Sequence, residues 1–442
     1  MKLAAAIALA LVAVSASWGS VFRVSRRTAS PSPDGLSWAT AFPTVQQGVD
    51  AAVSGDEIWV AAGTYKENLL IRTGRALYGG FTGTETERSG RNWSRNVAIL
   101  DGAQKDRVVT LIGGTGSAEA ITVDGFTIEK GASRSGGGGV YISGNACIVN
   151  NIIIGNTAVS DGFGWGGGIG IQDGAVAISN CIMIGNLADQ GGALAPGGSA
   201  AGADPVKLWN CTVVGNRSGQ GGAISAGWTT TLALINCVLA HNDSGIINSR
   251  GSVSLRNCDV YGNSAYNFSG LADPTGTNGN ISADPMLSTF ASGLHLQPGS
   301  PCIDAGDDSV VTGGQLDLYG KPRLLGAHVD MGADESDGSA YPPHAPRVWR
   351  VSTAGSDDND GSSWSSAIAS VSLALLYAEA GDEVWAAAGT YFGSSALKSG
   401  VGLYGGFAGS ETDRTQRDPK QRATILDGTI ATLGAYIYGA TV

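Results

Sequence analysis

Asn180-Cys181-Ile182-Met183-Ile184-Gly185-Asn186 is one copy of a phrase that returns down the chain. It recurs as Asn210-Cys211-Thr212-Val213-Val214-Gly215-Asn216, Asn236-Cys237-Val238-Leu239-Ala240-His241-Asn242 and Asn257-Cys258-Asp259-Val260-Tyr261-Gly262-Asn263. An earlier copy, Asn150-Asn151-Ile152-Ile153-Ile154-Gly155-Asn156, has Asn151 in place of the cysteine. From Asn151 through Cys181, Cys211, Cys237 and Cys258 the steps are 30, 30, 26 and 21 residues. A fixed core therefore repeats while its connecting turns vary, which is the mark of a solenoid.

Working outward, each phrase is preceded by a glycine run and a short apolar stretch. These read Gly137-Gly138-Gly139-Val140-Tyr141-Ile142, Gly166-Gly167-Gly168-Ile169-Gly170-Ile171, Gly191-Gly192-Ala193-Leu194 and Gly221-Gly222-Ala223-Ile224. Apolar runs this short, bounded by Gly, Asn, Asp and Ser, read as strands and tight turns and not as amphipathic helices. Two or three strands per unit describe a coil of a parallel β-helix, with equivalent residues stacking about 4.8 Å apart. Each coil buries its apolar face only against its neighbours.

These repeats resemble those of the right-handed parallel β-helix, or pectin-lyase-like, superfamily, including bacterial polymorphic outer-membrane proteins. The stretch from Asn280 to Glu335 is similar to the choice-of-anchor module that closes such helices in secreted bacterial proteins. Its carrying motifs are Ser300-Pro301-Cys302-Ile303-Asp304-Ala305-Gly306, Gly320-Lys321-Pro322-Arg323 and Asp330-Met331-Gly332-Ala333-Asp334-Glu335. The expected fold class is thus all-β, a right-handed parallel β-helix solenoid with a short N-terminal capping helix.

The rest of the chain organises around that core. Residues 1–20 run from one lysine through an apolar stretch of about 12 residues to small residues, which fits a secretory signal and is short of the ~20 needed for a membrane span. Residues 21–102 read as an opening module. Strands are expected at Phe22–Ser25 and at Asp56–Tyr65, with a helix over Pro43–Val53 to cover the open first coil. Repeats occupy about 120–270 and a closing stretch 280–335. Residues 35–102 align with 361–428 at a constant offset of 326, and 30 of the 68 pairs are identical. A Ser, Gly and Pro-rich linker at 336–346 therefore separates one complete helix from the start of a second at 347–442. The second copy has no closing stretch, so the chain is expected to be a fragment or to have its open end covered by another chain. Self-association through the apolar run Thr429 to Val442 is the corresponding expectation.

With net charge −11 and 15% charged residues the chain offers no basic stripe, which argues against nucleic acid. Cys181, Cys211, Cys237 and Cys258 share one coil position and are expected as a reduced, inward-facing ladder. Rung spacing alone leaves disulfides open. The four histidines are scattered and no Cys-x-x-Cys occurs, so no metal site is expected. Asn156, Asn186, Asn216, Asn242 and Asn263 form a second ladder of turn residues with stacked amides.

Within the resembled superfamily, polygalacturonase-like hydrolases carry Asn-Thr-Asp, Asp-Asp and Gly-His-Gly sets on adjacent coils, and none occurs in these repeats. Pectate-lyase-like enzymes set an Arg or Lys base beside calcium-binding aspartates. The repeats hold few such bases, Lys207, Arg217, Arg250 and Arg256 among them, with no matching carboxylate set. No catalytic residue and no cofactor is therefore assigned. What converges is one turn row, comprising Asp161, Trp165, Asp189, Gln190, Arg217, Gln220 and Asp243. Its carboxylates, amides and aromatic suit a shallow sugar-binding groove, while the plainer reading is solvated turns. Asp357-Asp358-Asn359-Asp360-Gly361 resembles a calcium loop, although the first copy, ending Asp34-Gly35, lacks the ligands. Two functional classes are carried forward. One is an exported, non-catalytic surface or extracellular protein with an adhesive or glycan-binding face; the other is a polysaccharide lyase or glycoside hydrolase with a divergent site.

Overall fold

The chain winds so that each coil contributes one strand to each of three long parallel sheets. The computed structural model describes residues 19–427 apart from 29, 117–118, 198–204, 228–229, 289–292, 341–344, 357–358, 379–380 and 393–399. The first sheet has nine strands, from Val21–Val24 to Ser252–Arg256. The second has eight, from Gly63–Lys66 to Asp259–Tyr261, and the third eight, from Leu69–Arg72 to Phe268–Ser269. A narrow fourth sheet of two-residue strands runs from Ala132–Ser133 to Arg217–Ser218. Register follows the phrase: Ile152 pairs with Ile182, Ile182 with Thr212, Thr212 with Val238 and Val238 with Asp259, all parallel. The fold is the all-β parallel β-helix expected from the repeats.

Alternation along each strand decides what faces inward. In the first sheet Ile148, Ile178, Leu208, Leu234 and Leu255 lie in register and form one buried ladder of the core. Each such side chain contributes about 1.5–3 kcal/mol by leaving water. The glycine runs have a steric cause. A Cβ on Gly167 would lie 2.4 Å from the Leu187 carbonyl oxygen, and one on Gly192 2.3 Å from that of Arg217, so the next coil passes where a side chain would be. The opening module is the first part of the same stack. Its helix, Val45–Ala51, is capped by the Thr44 hydroxyl, which accepts from the Gln47 amide at 3.3 Å, and by Glu67, which accepts from the Val45 and Gln46 amides. The helix packs Val45 and Val49 against the core residues Val24, Ile58 and Ile71.

Both side-chain ladders form as expected. All six cysteines are free, and Cys181, Cys211, Cys237 and Cys258 are fully buried in the core. Each of these four thiols donates to the carbonyl two residues back, at 3.1–3.3 Å. Asn151 reaches the same carbonyl position with its amide, at 2.8 Å to Val149, which explains how an asparagine heads a cysteine ladder. In the other ladder each amide binds up and down the stack. The Asn186 Oδ1 accepts from the Asn156 backbone N–H and Nδ2, while the Asn186 Nδ2 donates to Ile153 O and Asn216 Oδ1.

The described chain divides into two compact units, one running to Pro285 and including Gly299–Asp337, the other comprising Met286–Pro298 and the chain from Gly338 onward. Within the first unit, residues from Gly299 to Glu335 do more than close an end, for they run back along the flank between the first and second sheets. The Asn257 amide donates to Ala305 O, the Asn236 amide to Asp307 O and the Asn180 amide to Leu316 O. The Gly332 amide donates to Asn236 O, the Ala333 amide to Thr212 Oγ1 and the Trp93 indole to Leu318 O. Asn180, Asn236 and Asn257 are held at positive φ, which turns their side chains to this contact. The segment is knotted around Arg323, which is fully buried, donates to Asp330 O and Gly332 O, and lies 3.8 Å from the Glu335 carboxylate. Burial pushes the Glu335 carboxyl up to about 8 and that of Asp330 to about 6.

The second unit repeats the opening architecture. Val348–Val351, Glu383–Ala387 and Gly402–Phe407 form a parallel sheet, Gly389–Phe392 pairs with Thr424–Asp427, and the helix Val371–Tyr377 packs on a core of its own. Residues 1–18, the bulk of the stretch 1–20 read as the export signal, and 428–442, which include the run Thr429 to Val442 on which the expectation of self-association rests, lie outside the described residues.

Candidate functional site: the turn row

The fourth sheet and the glycine turns bring the seven candidate residues to one edge of the helix. Trp165 bridges in parallel register to Gly136 on one coil and Gln190 on the next. The Gln190 amide N–H donates to Gly164 O at 2.9 Å, and that of Gln220 to Asp189 O at 2.8 Å. Arg217 and Asp243 face each other across adjacent coils at 3.5 Å. Both are nearly half exposed, so the pair contributes under about 1 kcal/mol.

Their chemical roles differ. Asp189 Oδ2 accepts the backbone N–H groups of Ser160 and Gly164, each at 2.8 Å, so this carboxylate braces the loop that carries Phe163 and Trp165. Asp161 sits exposed at the loop tip, with φ of 44°. Gln190 and Gln220 are exposed on successive coils, and Gln190 Nε2 reaches Gly162 O at 3.4 Å.

Three neighbours, Tyr141, Arg107 and Phe163, complete the surface and are not among the seven candidates read from the sequence. Tyr141 points outward from the third sheet, its ring centroid 5.9 Å from that of Trp165, and the Arg107 guanidinium lies 4.3 Å from the centre of the Tyr141 ring. Phe163, two residues before Trp165, is 77% exposed. Strict alternation in Val140-Tyr141-Ile142 marks Tyr141 as outward-facing; nothing comparable marks Arg107.

Elsewhere, Asp360 of the calcium-like loop spends Oδ1 on the Ser362 amide and hydroxyl and the Ser366 hydroxyl, which hold its carboxyl down at about 2. Asp34 plays the same part in the first copy by accepting from Leu36 and Thr40. Asp357 and Asp358 lie outside the described residues. Among the described residues no group of three or more His, Cys, Asp or Glu is placed to hold a metal ion, and no helix is long and apolar enough to cross a membrane.

No protein-family model matches the chain, and no curated protein does. Among solved structures it is similar to the pectate lyase Pel9A, at 13% identity over 73% of this chain and 98% of that one, with a TM-score of 0.33. A second likeness is to the PL6 family alginate lyase AlyGC, at 12% identity over 81% of this chain and 67% of that one, with a TM-score of 0.17. The fold assignment rests on the strand pairing described above.

Proposed function

We propose that the chain is an exported, non-catalytic β-helix protein of the cell surface or extracellular space, whose turn row is a glycan-binding face. The observation that carries this reading is the loop of Phe163 and Trp165 held beside exposed amides on the next two coils. Ring faces and amide forks are what bind sugars. The carboxylates support binding over catalysis, since Asp189 is consumed by two backbone amides and Asp243 by Arg217. The N-terminal segment and the resemblance of 280–335 to choice-of-anchor modules support export.

Affinity electrophoresis of the full chain through a panel of polysaccharide gels tests the reading, with retardation by at least one polymer expected. Passage through every gel at the rate of an inert control would sink it. The same preparation is expected to release no unsaturated or reducing ends from pectate or alginate, with or without calcium. Turnover abolished by Asp161→Asn would put a catalytic site in this row instead.

A further inference from the structure

Building on the glycan-binding reading of the turn row, we propose that its ligand is an uncharged polysaccharide held on ring faces and amides along the helix axis. The charge balance points this way. Around the row Asp161, Asp189 and Asp243 are matched by Arg107, Arg134 and Arg217. Arg107 is spent on Gly136 O at 2.7 Å, Ser135 Oγ at 2.6 Å and the Tyr141 ring, and Arg217 faces Asp243. Only the exposed Arg134 is left, and the exposed Asp161 offsets it. A polyuronate brings one carboxylate per sugar, and each must lose water without a fixed cation to receive it. An uncharged chain has no such cost.

The apolar side is built for stacking. Trp165 lies down on the backbone because Gly136 and Gly170 make room, where a Cβ would come within 2.3 Å and 2.9 Å of its ring atoms. Phe163 stands out beside it, 77% exposed. Gln190 and Gln220 follow on successive rungs about 4.8 Å apart, each offering a donor and an acceptor to hydroxyls. The direction of the row is the stacking direction, so a bound chain runs along the axis.

Affinity electrophoresis of the full chain against a neutral β-glucan, a galactomannan, polygalacturonate and alginate, at about 0.05 M and 0.5 M salt, separates the outcomes. The expected result is binding to a neutral polymer that is unchanged by salt and weakened about tenfold by Phe163→Ala, the scale of losing one stacked ring. Phe163 is exposed enough that its loss leaves the fold intact. Preference for a polyuronate, abolished by high salt or by Arg134→Ala, overturns the uncharged class while the glycan face stands. Neutral binding indifferent to both Phe163→Ala and Gln190→Ala overturns the placement of the ligand. Binding to none of the four polymers overturns this class, and if the wider panel is also unbound, the glycan reading falls with it.

Discussion

In the first opening module Trp59 stacks on Phe81 at 4.8 Å and 9°, and in the second Trp385 stacks on Phe407 at 4.8 Å and 8°. The indole of Trp59 donates to Glu57 and that of Trp385 to Glu383, at 2.7 and 2.6 Å. The Tyr65 hydroxyl reaches Ala61 O and the Tyr391 hydroxyl Ala387 O, both at 2.9 Å. Glu85 gathers the amides of Thr82, Gly83 and Thr84, as Glu411 gathers those of Ala408, Gly409 and Ser410. The copies part where the first reaches outward. Trp93 donates to the flank segment, whereas Pro419 stands at the matching position; Arg91 and Arg417 each donate to a glycine carbonyl of their own copy, Gly79 O and Gly405 O, and lie over Tyr78 and Tyr404. Bonds a module makes with itself are repeated, while the Trp93 bond to the flank has no counterpart at Pro419.

The strongest challenge to that contrast is to remove the shared stack. Trp59→Ala and Trp385→Ala are each expected to cost about 3–5 kcal/mol, the price of emptying a buried tryptophan site. Hydrogen exchange resolved by module reads both, and a second module that shrugs off the change would show the stack matters only in the first. Next comes a bond that exists only between coils: Asn186→Ala strands the Asn156 backbone amide and Ile153 O, for about 3 kcal/mol in chemical denaturation. A loss below about 1 kcal/mol would mean that the ladder is dispensable. Arg91→Ala, which removes the ion pair with Asp124 on the following coil, is expected to cost about 2 kcal/mol, and a loss under about 1 would mean that this crossing is dispensable.

The flank segment, absent from the shared pattern, should respond to pH. Its buried Asp330 and Glu335 lie among Asp317, Asp334, Lys321 and Arg323, and their carboxyls are raised above the ordinary range by burial. An acid whose folded pKa is raised contributes stability that is complete below its ordinary value and is lost as pH climbs through the folded one. Exchange protection of 299–337 is therefore expected to fall from the ordinary carboxyl values, 3.8 and 4.5, upward, with the Asp330 share gone by about pH 6 and the Glu335 share by about pH 8. Constant protection across that range would show the knot to be insensitive to its charge. The smallest effect is Cys211→Ser, at about 1 kcal/mol or less, because a hydroxyl can keep the thiol's bond to Trp209 O. A loss of several kcal/mol in thermal unfolding would mean that the position demands sulfur.

The repeats made most of this architecture legible. Gly-Gly before an apolar pair, Asn-Cys at 21–30 residue steps and the duplicated Gly-Asp-Glu-x-Trp each encode a local geometry that needs no distant partner. The course of the flank segment was not legible, because its contacts join Leu316 to Asn180 and Ala305 to Asn257 through backbone carbonyls, which leave no pattern in side chains. In the turn row, stacking the seven residues followed from the period alone. That Asp189 would be consumed by Ser160 and Gly164 did not, since the loop before Trp165 is longer than its counterparts and folds back on the next coil.

A stack whose rungs touch only their neighbours melts like a one-dimensional lattice, fraying from whichever end is weaker. The segment from Gly299 to Glu335 changes that statistical problem, because it is bonded at once to Trp93, Asn180, Thr212, Asn236 and Asn257. Loosening one rung then disturbs a chain that other, distant rungs also hold, and the cost is shared among non-neighbours. Unfolding of the rungs between Trp93 and Asn257 becomes a collective event.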